Sequence, residues 1–229
     1  MKPQTASGLF KKILIANRGE IACRIIRTCQ SLGVPTVAVY SEADRDALHV
    51  RLADDAFHIG KATPEDSYLN HERILETAIR CQADSIHPGY GFLAENDVFA
   101  EACLTKGIKF IGPRPESIRE MGSKSRAKQL MQEAGVPVVP GYHGDKQDFK
   151  TLRNEAEKIG FPLLIKPVAG GGGRGMRVVR QLNELEEALT LSRSEAKNAF
   201  GDDNVLLERF IEGPRHIEFQ IFGDQHGNF

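Results

Sequence analysis

Short apolar runs and helical repeats alternate along the first part of the chain. Residues 13–16 (ILIA) form an apolar run, and beyond a polar turn the apolar side chains recur at helical spacing over residues 21–32, just before Gly33. A second apolar run, residues 36–40, follows shortly after Gly33. These patterns predict a strand, a helix that ends at Gly33, and another strand. Because the connection is so compact, we expect the two strands to pair in parallel through a right-handed crossover.

The same alternation continues as far as Gly112. It predicts further strands and helices in turn, at residues 56–59, 72–81, 85–87, 97–106 and 109–111. We therefore predict an α/β fold, with a doubly wound parallel-sheet domain over residues 1–122. A helix at 124–134 and a proline-punctuated segment at 136–141 come next. Residues 123–229 are predicted to form a second domain.

Within that second domain the pattern predicts a small α+β lobe over about residues 141–212. Its predicted elements are a helix at 149–159, strands at 163–166 and 176–179, helices at 183–190 and 192–200, and a strand at 205–210. Residues 216–222 then alternate apolar and polar positions and lead into a turn, which predicts the first strand of a hairpin. Because such a strand needs a returning partner, we expect the sequence to be part of a longer chain.

Composition narrows the possible functions. The 229 residues include 30 Lys and Arg against 31 Asp and Glu, and this net charge of -1 gives no general attraction to nucleic acid or to an anionic membrane. No apolar run approaches the roughly 20 residues that span a bilayer, and the polar opening does not resemble a signal peptide. The four cysteines lack the CxxC spacing of metal and redox sites. We expect a cytoplasmic protein with reduced thiols.

A glycine-rich segment gives the strongest chemical signal. Four consecutive glycines, residues 170–173, follow Lys166, and their exposed N–H groups suit a loop that folds round phosphates. The spacing satisfies GxGxxG, but a β-rich run follows it instead of a helix, so the dinucleotide fingerprint fails. A P-loop fails as well, because Met176 stands where its lysine belongs. The pattern predicts a flap over nucleotide phosphates, with Lys166 adding positive charge; the alternative is a flexible hairpin with a solvated lysine.

Other candidate residues have equally plain structural explanations. His87 and Glu95 belong to a turn-rich loop after a predicted strand, where open α/β sheets bind ligands, but a connecting loop would look similar. Lys124 lies near a helix start, which attracts anions, although a helical lysine is usually solvated. His216 could line a site or simply face water. The backbone of residues 208–211 could pair with an adenine edge or merely end a strand.

Five motifs cover essentially the whole chain: residues 15–22 (IANRGEIA), 87–96 (HPGYGFLAEN), 122–124 (GSK), 166–176 (KPVAGGGGRGM) and 214–216 (PRH). Taken together, and in this order, they resemble the motifs of biotin carboxylases, which are ATP-grasp enzymes. The turn in the first motif lacks the glycines to hold a pyrophosphate and is expected to be structural. Another ATP-grasp ligase, of the carbamoyl-phosphate synthetase or purine-pathway type, is the nearest alternative, and a nucleotide-binding module or dinucleotide-dependent oxidoreductase is a remote one.

The resemblance implies a reaction and its participants. ATP, with Mg²⁺, would phosphorylate bicarbonate to carboxyphosphate, whose CO₂ would carboxylate biotin on a carrier domain that also serves a carboxyltransferase subunit. The segments 141–144 (GYHG) and 222–228 look most like the methylcrotonyl-CoA or propionyl-CoA carboxylase type. The family's metal-binding carboxylates, bicarbonate-binding arginine and catalytic glutamate would lie beyond Phe229, so the 229 residues alone are expected not to turn over.

The resemblance also implies roles for individual residues. Lys124 and Lys166 would contact the nucleotide phosphates, and the loop residues Gly172, Gly173 and Met176 would close over them. Adenine would be held by Glu208, Arg209, Phe210 and Ile211, and the nucleotide would also contact His216. Arg24 and Arg27 match the family's dimer-forming helix. Val168 is bulkier than the small residue often found at its position.

Overall fold

The computed structural model describes residues 10–169, 173–224 and 226–229, with the side chain of Lys124 excepted. The chain divides into two compact units, residues 1–127 and 128–229. Each unit has its own sheet, the first of five strands and the second of four.

The described part of the first unit contains five strands and five complete α-helices. The strands are β1 (Ile13–Ile15), β2 (Thr36–Ser41), β3 (Asp55–Gly60), β4 (Ser85–His87) and β5 (Lys109–Phe110). The helices are α1 (Gly19–Leu32), α2 (Leu48–Leu52), α3 (His71–Arg80), α4 (Asp97–Thr105) and α5 (Pro115–Gly122). A further helix, α6 (Lys124–Glu133), runs across the division between the units.

The strands of this unit are all parallel, in the order β3-β2-β1-β4-β5. The parallel pairing predicted for β1 and β2 is thus confirmed, and α1 ends at Gly33 with the left-handed backbone expected of a helix cap. Leu14 faces a core shared with α3 and α4, whereas its neighbours Ile13 and Ile15 pack against α1 on the opposite face. Helices on both faces of a parallel sheet make the unit doubly wound.

The second unit pairs an antiparallel sheet with helices on one face. Its strands are β6 (Gly141–Tyr142), β7 (Leu163–Pro167), β8 (Arg177–Val179) and β9 (Val205–Arg209), and its helices are α7 (Phe149–Ile159) and α8 (Leu185–Phe200). The strand order is β6-β9-β7-β8. Alternate residues of β7 and β9 enter a core with α7 and α8, which leaves the residues between them for the other face. The core members from the strands are Leu163, Ile165, Val179, Val205 and Leu207.

Some predicted elements of the second unit differ from the structure. The strand predicted at residues 216–222 is not formed: residues 210–222 have no regular secondary structure, and no strand among the described residues lies beside them to pair their backbone groups. The two helices predicted at 183–190 and 192–200 are one helix, α8, since no glycine or proline interrupts them. None of the described helices is long and apolar enough to cross a membrane.

Candidate functional site

The polar turn after β1 holds the loop that follows β4. The side-chain amide of Asn17 is buried and donates hydrogen bonds to the carbonyl oxygens of Pro88, at 2.7 Å, and Tyr90, at 2.8 Å. Gly89 packs so closely against Asn17 that a Cβ there would lie 2.8 Å from the amide nitrogen. Strands β1 and β4 flank the point where the strand order reverses, which is where doubly wound folds bind dinucleotides. Here the protein's own loop contacts the turn at that point.

An ionic and aromatic cluster fixes the rest of this edge. Asp44 accepts hydrogen bonds from the side chains of Tyr68, Ser41 and Arg18, and the Arg18 guanidinium lies over the rings of Tyr68 and Phe92. Burial by itself raises the pKa of Asp44, but the three hydrogen bonds outweigh it, so the pKa lies below its usual value. Phe92 has a positive φ of 39°, an uncommon backbone conformation for a bulky residue. Hydrogen bonds and ring contacts therefore link Arg18, Asp44 and Phe92 at this edge.

His87 and Glu95 have different environments in this loop. The His87 Nδ1 accepts a hydrogen bond from the Gly89 N–H at 3.0 Å, and burial lowers the pKa of His87. The ring is therefore neutral at pH 7 and carries its proton on Nε2. Glu95 is exposed, and so is Tyr90, whose hydroxyl donates to Glu20 at 3.0 Å. A ligand role for His87 or Glu95 stays a prediction.

In the second unit, Lys166 and Glu208 meet across neighbouring strands. Lys166 of β7 lies beside Leu206 of β9, and its ammonium group donates to Glu208 two residues further along β9. Both side chains project from the sheet face opposite to α7 and α8, because they alternate with the core residues of their strands. The Glu208 side chain is only 12% exposed. A buried carboxylate thus contacts Lys166, the lysine that precedes the glycine-rich segment.

Two further residues, which the sequence analysis did not single out, complete this cluster. Lys128 of α6 donates to the other carboxylate oxygen of Glu208. Burial, together with the charge of Lys128, lowers the pKa of the nearby His143. The sequence did contain a signal for Lys128, because it follows Lys124 by four residues, the spacing of one helix face. His143 had no comparable signal, since its place next to Glu208 follows from the pairing of β6 with β9.

The described end of the glycine-rich segment is anchored to α8. Gly173 and Gly175 have φ values of +77° and +74°, which favour glycine. The buried hydroxyl of Ser192 donates to the carbonyl oxygen of Gly175 at 2.7 Å, and Met176 is 40% exposed at the start of the return into β8. Strand β8 pairs with β7. The predicted arrangement of strand, glycine segment and strand is therefore present, although Gly172 lies outside the described residues.

The predicted adenine-binding residues leave β9 next to the lysine cluster. The Arg209 N–H donates to the Pro140 carbonyl at 2.8 Å, and the Phe210 N–H donates to the Pro162 carbonyl at 3.0 Å. In the described part of the chain we find no backbone partner for the N–H of Ile211, whose side chain is half exposed. Among the predicted adenine-binding residues 208–211, Ile211 therefore has the backbone N–H that a ligand could use.

In the described part of the chain, no contact joins the remaining predicted residues to the cluster of Lys166 and Glu208. His216 is exposed and pairs with Glu218 at 3.0 Å. The side chain of Lys124 lies outside the described part, so the structure gives only its position at the start of α6. Arg24 and Arg27 are exposed on α1. Among residues 10–169, 173–224 and 226–229, no group of three or more His, Cys, Asp or Glu side chains could hold a metal ion.

Two family models match consecutive parts of the chain. Residues 9–118 match the N-terminal domain of biotin carboxylase, and residues 123–229 match the ATP-binding domain of the carbamoyl-phosphate synthase L chain. The mitochondrial methylcrotonoyl-CoA carboxylase subunit alpha of Mus musculus is 56% identical over 98% of this chain. The 2-oxoglutarate carboxylase small subunit of Hydrogenobacter thermophilus is 52% identical over 96% of it. The chain spans 31% of the first relative's length and 46% of the second's.

Solved structures give the same similarity. The biotin carboxylase domain dimer of the Hydrogenobacter thermophilus 2-oxoglutarate carboxylase, in complex with MgADP, ADP and bicarbonate, matches with a TM-score of 0.87 and 52% identity. A complex of Campylobacter jejuni biotin carboxylase with β,γ-ATP matches with a TM-score of 0.89 and 50% identity. Each alignment covers 96% of this chain, and about half of the solved one, 48% and 49% respectively.

Proposed function

This chain belongs to the biotin carboxylase family, and we propose that it provides the ATP-binding elements with which a longer protein carboxylates biotin. In the proposed reaction, ATP phosphorylates bicarbonate to carboxyphosphate, and the CO₂ released from it is transferred to biotin on a carrier domain. The carboxylated biotin then serves a carboxyltransferase partner. Relatives named for different final substrates, methylcrotonoyl-CoA and 2-oxoglutarate, are similarly close to this chain, at 56% and 52% identity. The identities therefore do not favour one final substrate, and the proposed activity is the carboxylation of biotin.

The observation that carries the proposal is the position of Lys166. It lies on β7, directly before the glycine-rich segment, and it forms an ion pair with the partly buried carboxylate of Glu208. Phosphoryl transfer depends chiefly on positioning and on stabilising charge, and a lysine on a strand directly before a glycine-rich segment suits both needs. We propose that Lys166 and Lys124 contact the phosphates, while Gly172, Gly173 and Met176 close over them.

The remaining binding roles follow the same logic. We propose that the backbone at Glu208, Arg209, Phe210 and Ile211 receives adenine, with the Ile211 N–H as its donor, and that His216 contacts the nucleotide. Mg²⁺ would neutralise phosphate charge when bound. The described residues offer no group of three or more His, Cys, Asp or Glu side chains to hold it.

Organisation and assembly also belong to the proposal. We propose an N-terminal domain over residues 1–122, and an ATP-grasp domain over residues 123–229 whose lobe comprises about residues 141–212. A homodimer through α1 is proposed, with Arg24 and Arg27 exposed on that helix. A cytoplasmic location stays a prediction, since some relatives are named mitochondrial or chloroplastic.

An ATP titration by calorimetry tests nucleotide binding. The wild-type chain should bind ATP and not NAD, and Lys166→Met should weaken ATP binding by about tenfold or more, as expected for loss of a charged phosphate contact. Lys150→Met, which neutralises an exposed lysine of α7, is the matched control and should bind as the wild type does. NAD binding without ATP binding would refute the proposal and favour a dinucleotide-dependent protein.

A second assay separates biotin carboxylation from the other ATP-grasp reactions. The match of residues 123–229 to a carbamoyl-phosphate synthase domain makes a ligase of that type the main alternative. In the full-length protein we expect bicarbonate-dependent ATP cleavage that free biotin stimulates, measured as phosphate release. Cleavage that responds to ammonia and not to biotin would instead support a carbamoyl-phosphate synthetase activity.

A further inference from the structure

Glu208 is held by two lysines at once. Its Oε1 accepts from Lys128 of α6, and its Oε2 accepts from Lys166 of β7. The three side chains are 12% to 29% exposed, so water screens them only partly. Burial by itself raises the pKa of Glu208, but the two lysines outweigh it and lower the pKa. The carboxylate is therefore ionised at neutral pH, and the three groups together carry a charge of +1.

This arrangement bears on how Lys166 could bind a phosphate. A lysine that moves from a carboxylate to a phosphate leaves the carboxylate without that partner. A partly buried carboxylate with no cation near it is strongly unfavourable. With Lys128 on the other oxygen, Glu208 keeps one hydrogen-bonded cation when Lys166 leaves. The cost of releasing Lys166 is then much smaller.

We propose that Lys128 is a positioning residue that retains Glu208 while Lys166 exchanges this carboxylate for the nucleotide phosphates. The proposal rests on the proposed ATP binding and adds to it a residue that need not touch the nucleotide. It also explains why the carboxylate of Glu208 accepts hydrogen bonds from two lysines. A single lysine would be enough to neutralise the carboxylate, but it would then be unavailable to a ligand.

A double-mutant cycle in the full-length protein tests this proposal by calorimetry with ATP and adenosine. Lys128→Met should weaken ATP binding by about tenfold, within the usual range for coupled charges. It should leave adenosine binding unchanged, because adenosine has no phosphate to draw Lys166 away. In the Glu208→Gln background, Lys128→Met should change ATP affinity by less than about twofold, since no buried charge then needs Lys128. Lys128→Arg, which keeps the positive charge, should retain most of the wild-type affinity for ATP.

Each other outcome has a distinct meaning. An equal loss of ATP affinity in both backgrounds would overturn the proposal and make Lys128 a direct phosphate ligand. Equal losses for ATP and adenosine would overturn it in favour of a purely structural role, which unfolding by denaturant would register as well. If Lys128→Met binds ATP as tightly as the wild type and the Lys150→Met control, the positioning role is excluded while the proposed function stands. Absence of ATP binding by the wild type would instead end both.

Discussion

The side-chain amide of Asn17 donates a hydrogen bond of 2.7 Å to the carbonyl oxygen of Pro88, which lies 71 residues further along the chain. A second bond from the same amide reaches Tyr90. The turn after β1 thereby fixes the loop after β4. In a dinucleotide-binding fold, this turn would lie against a pyrophosphate. Its chemistry here serves the protein's own backbone instead.

Replacing Asn17 should therefore destabilise the first unit. Asn17→Ala removes both donors and leaves carbonyl oxygens with reduced access to water, so we expect a loss of about 1–3 kcal/mol in the free energy of unfolding. Urea denaturation measures it. Asn154→Ala, at an exposed position of α7, is the control and should change the free energy by less than ~0.5 kcal/mol. Equal effects of the two variants would contradict a specific role for the Asn17 bonds.

Two glycines of the same loop allow backbone strain to be separated from steric contact. Gly89 and Gly91 have similar φ values, +68° and +66°, but an added Cβ at Gly89 would lie 2.8 Å from the Asn17 amide, whereas at Gly91 it would meet nothing within 4 Å. Gly91→Ala should cost about 1 kcal/mol for its backbone alone. Gly89→Ala should cost at least ~1 kcal/mol more, because the loop must move from Asn17. Equal losses in thermal unfolding would mean that the contact is easily relieved.

Buried His49 should make stability depend on pH. Its Nε2 lies 3.3 Å from the Val39 carbonyl oxygen, and burial lowers the pKa of this histidine below 6.5. A group whose pKa is lower in the folded state binds its proton first in the unfolded chain, so the free energy of unfolding decreases as pH falls below 6.5. One such histidine contributes at most ~1.4 kcal/mol per pH unit.

Substitutions of single histidines can show which of them causes this pH dependence of stability. His87 and His143 also have lowered pKa values, so each should contribute in the same direction. His49→Gln should reduce the slope of unfolding free energy against pH below pH 6.5. The exposed His58→Gln serves as the control for removing a histidine at the surface. A slope unaltered by His49→Gln would show that His49 does not titrate in this range.

Ser192 should matter to both stability and nucleotide binding. Its buried hydroxyl holds the Gly175 carbonyl at 2.7 Å, where the glycine-rich segment returns to β8. Ser192→Ala should lower the free energy of unfolding by about 1–2 kcal/mol. It should also weaken ATP binding by about threefold, because a looser segment must be ordered on binding. The exposed Ser194→Ala, on the same helix, is the matched control. Calorimetry that finds equal ATP affinity for both variants would contradict this anchoring role.

Much of the fold follows from local rules. Alternation in strands and helical repeats predicted β4 and α7 with their observed bounds, because a period of 2 or 3.6 residues depends only on which side chains must be buried. The same rules placed Lys166 at the end of a strand before the glycine segment. They missed α5, the short β6 and the continuity of α8, where apolar repeats were brief or ambiguous.

The sequence by itself determined the class of fold, the glycine segment and the lysine beside it, since each depends on residues close together in the chain. Only the tertiary structure showed that Lys128 contacts Glu208, 80 residues away, and that Asn17 holds the loop after β4. It also showed that residues 216–222 form no strand, although their alternation suits one. The physical reason is the same in each case: a charge, an amide or a strand needs a partner, and chain topology decides which partner arrives.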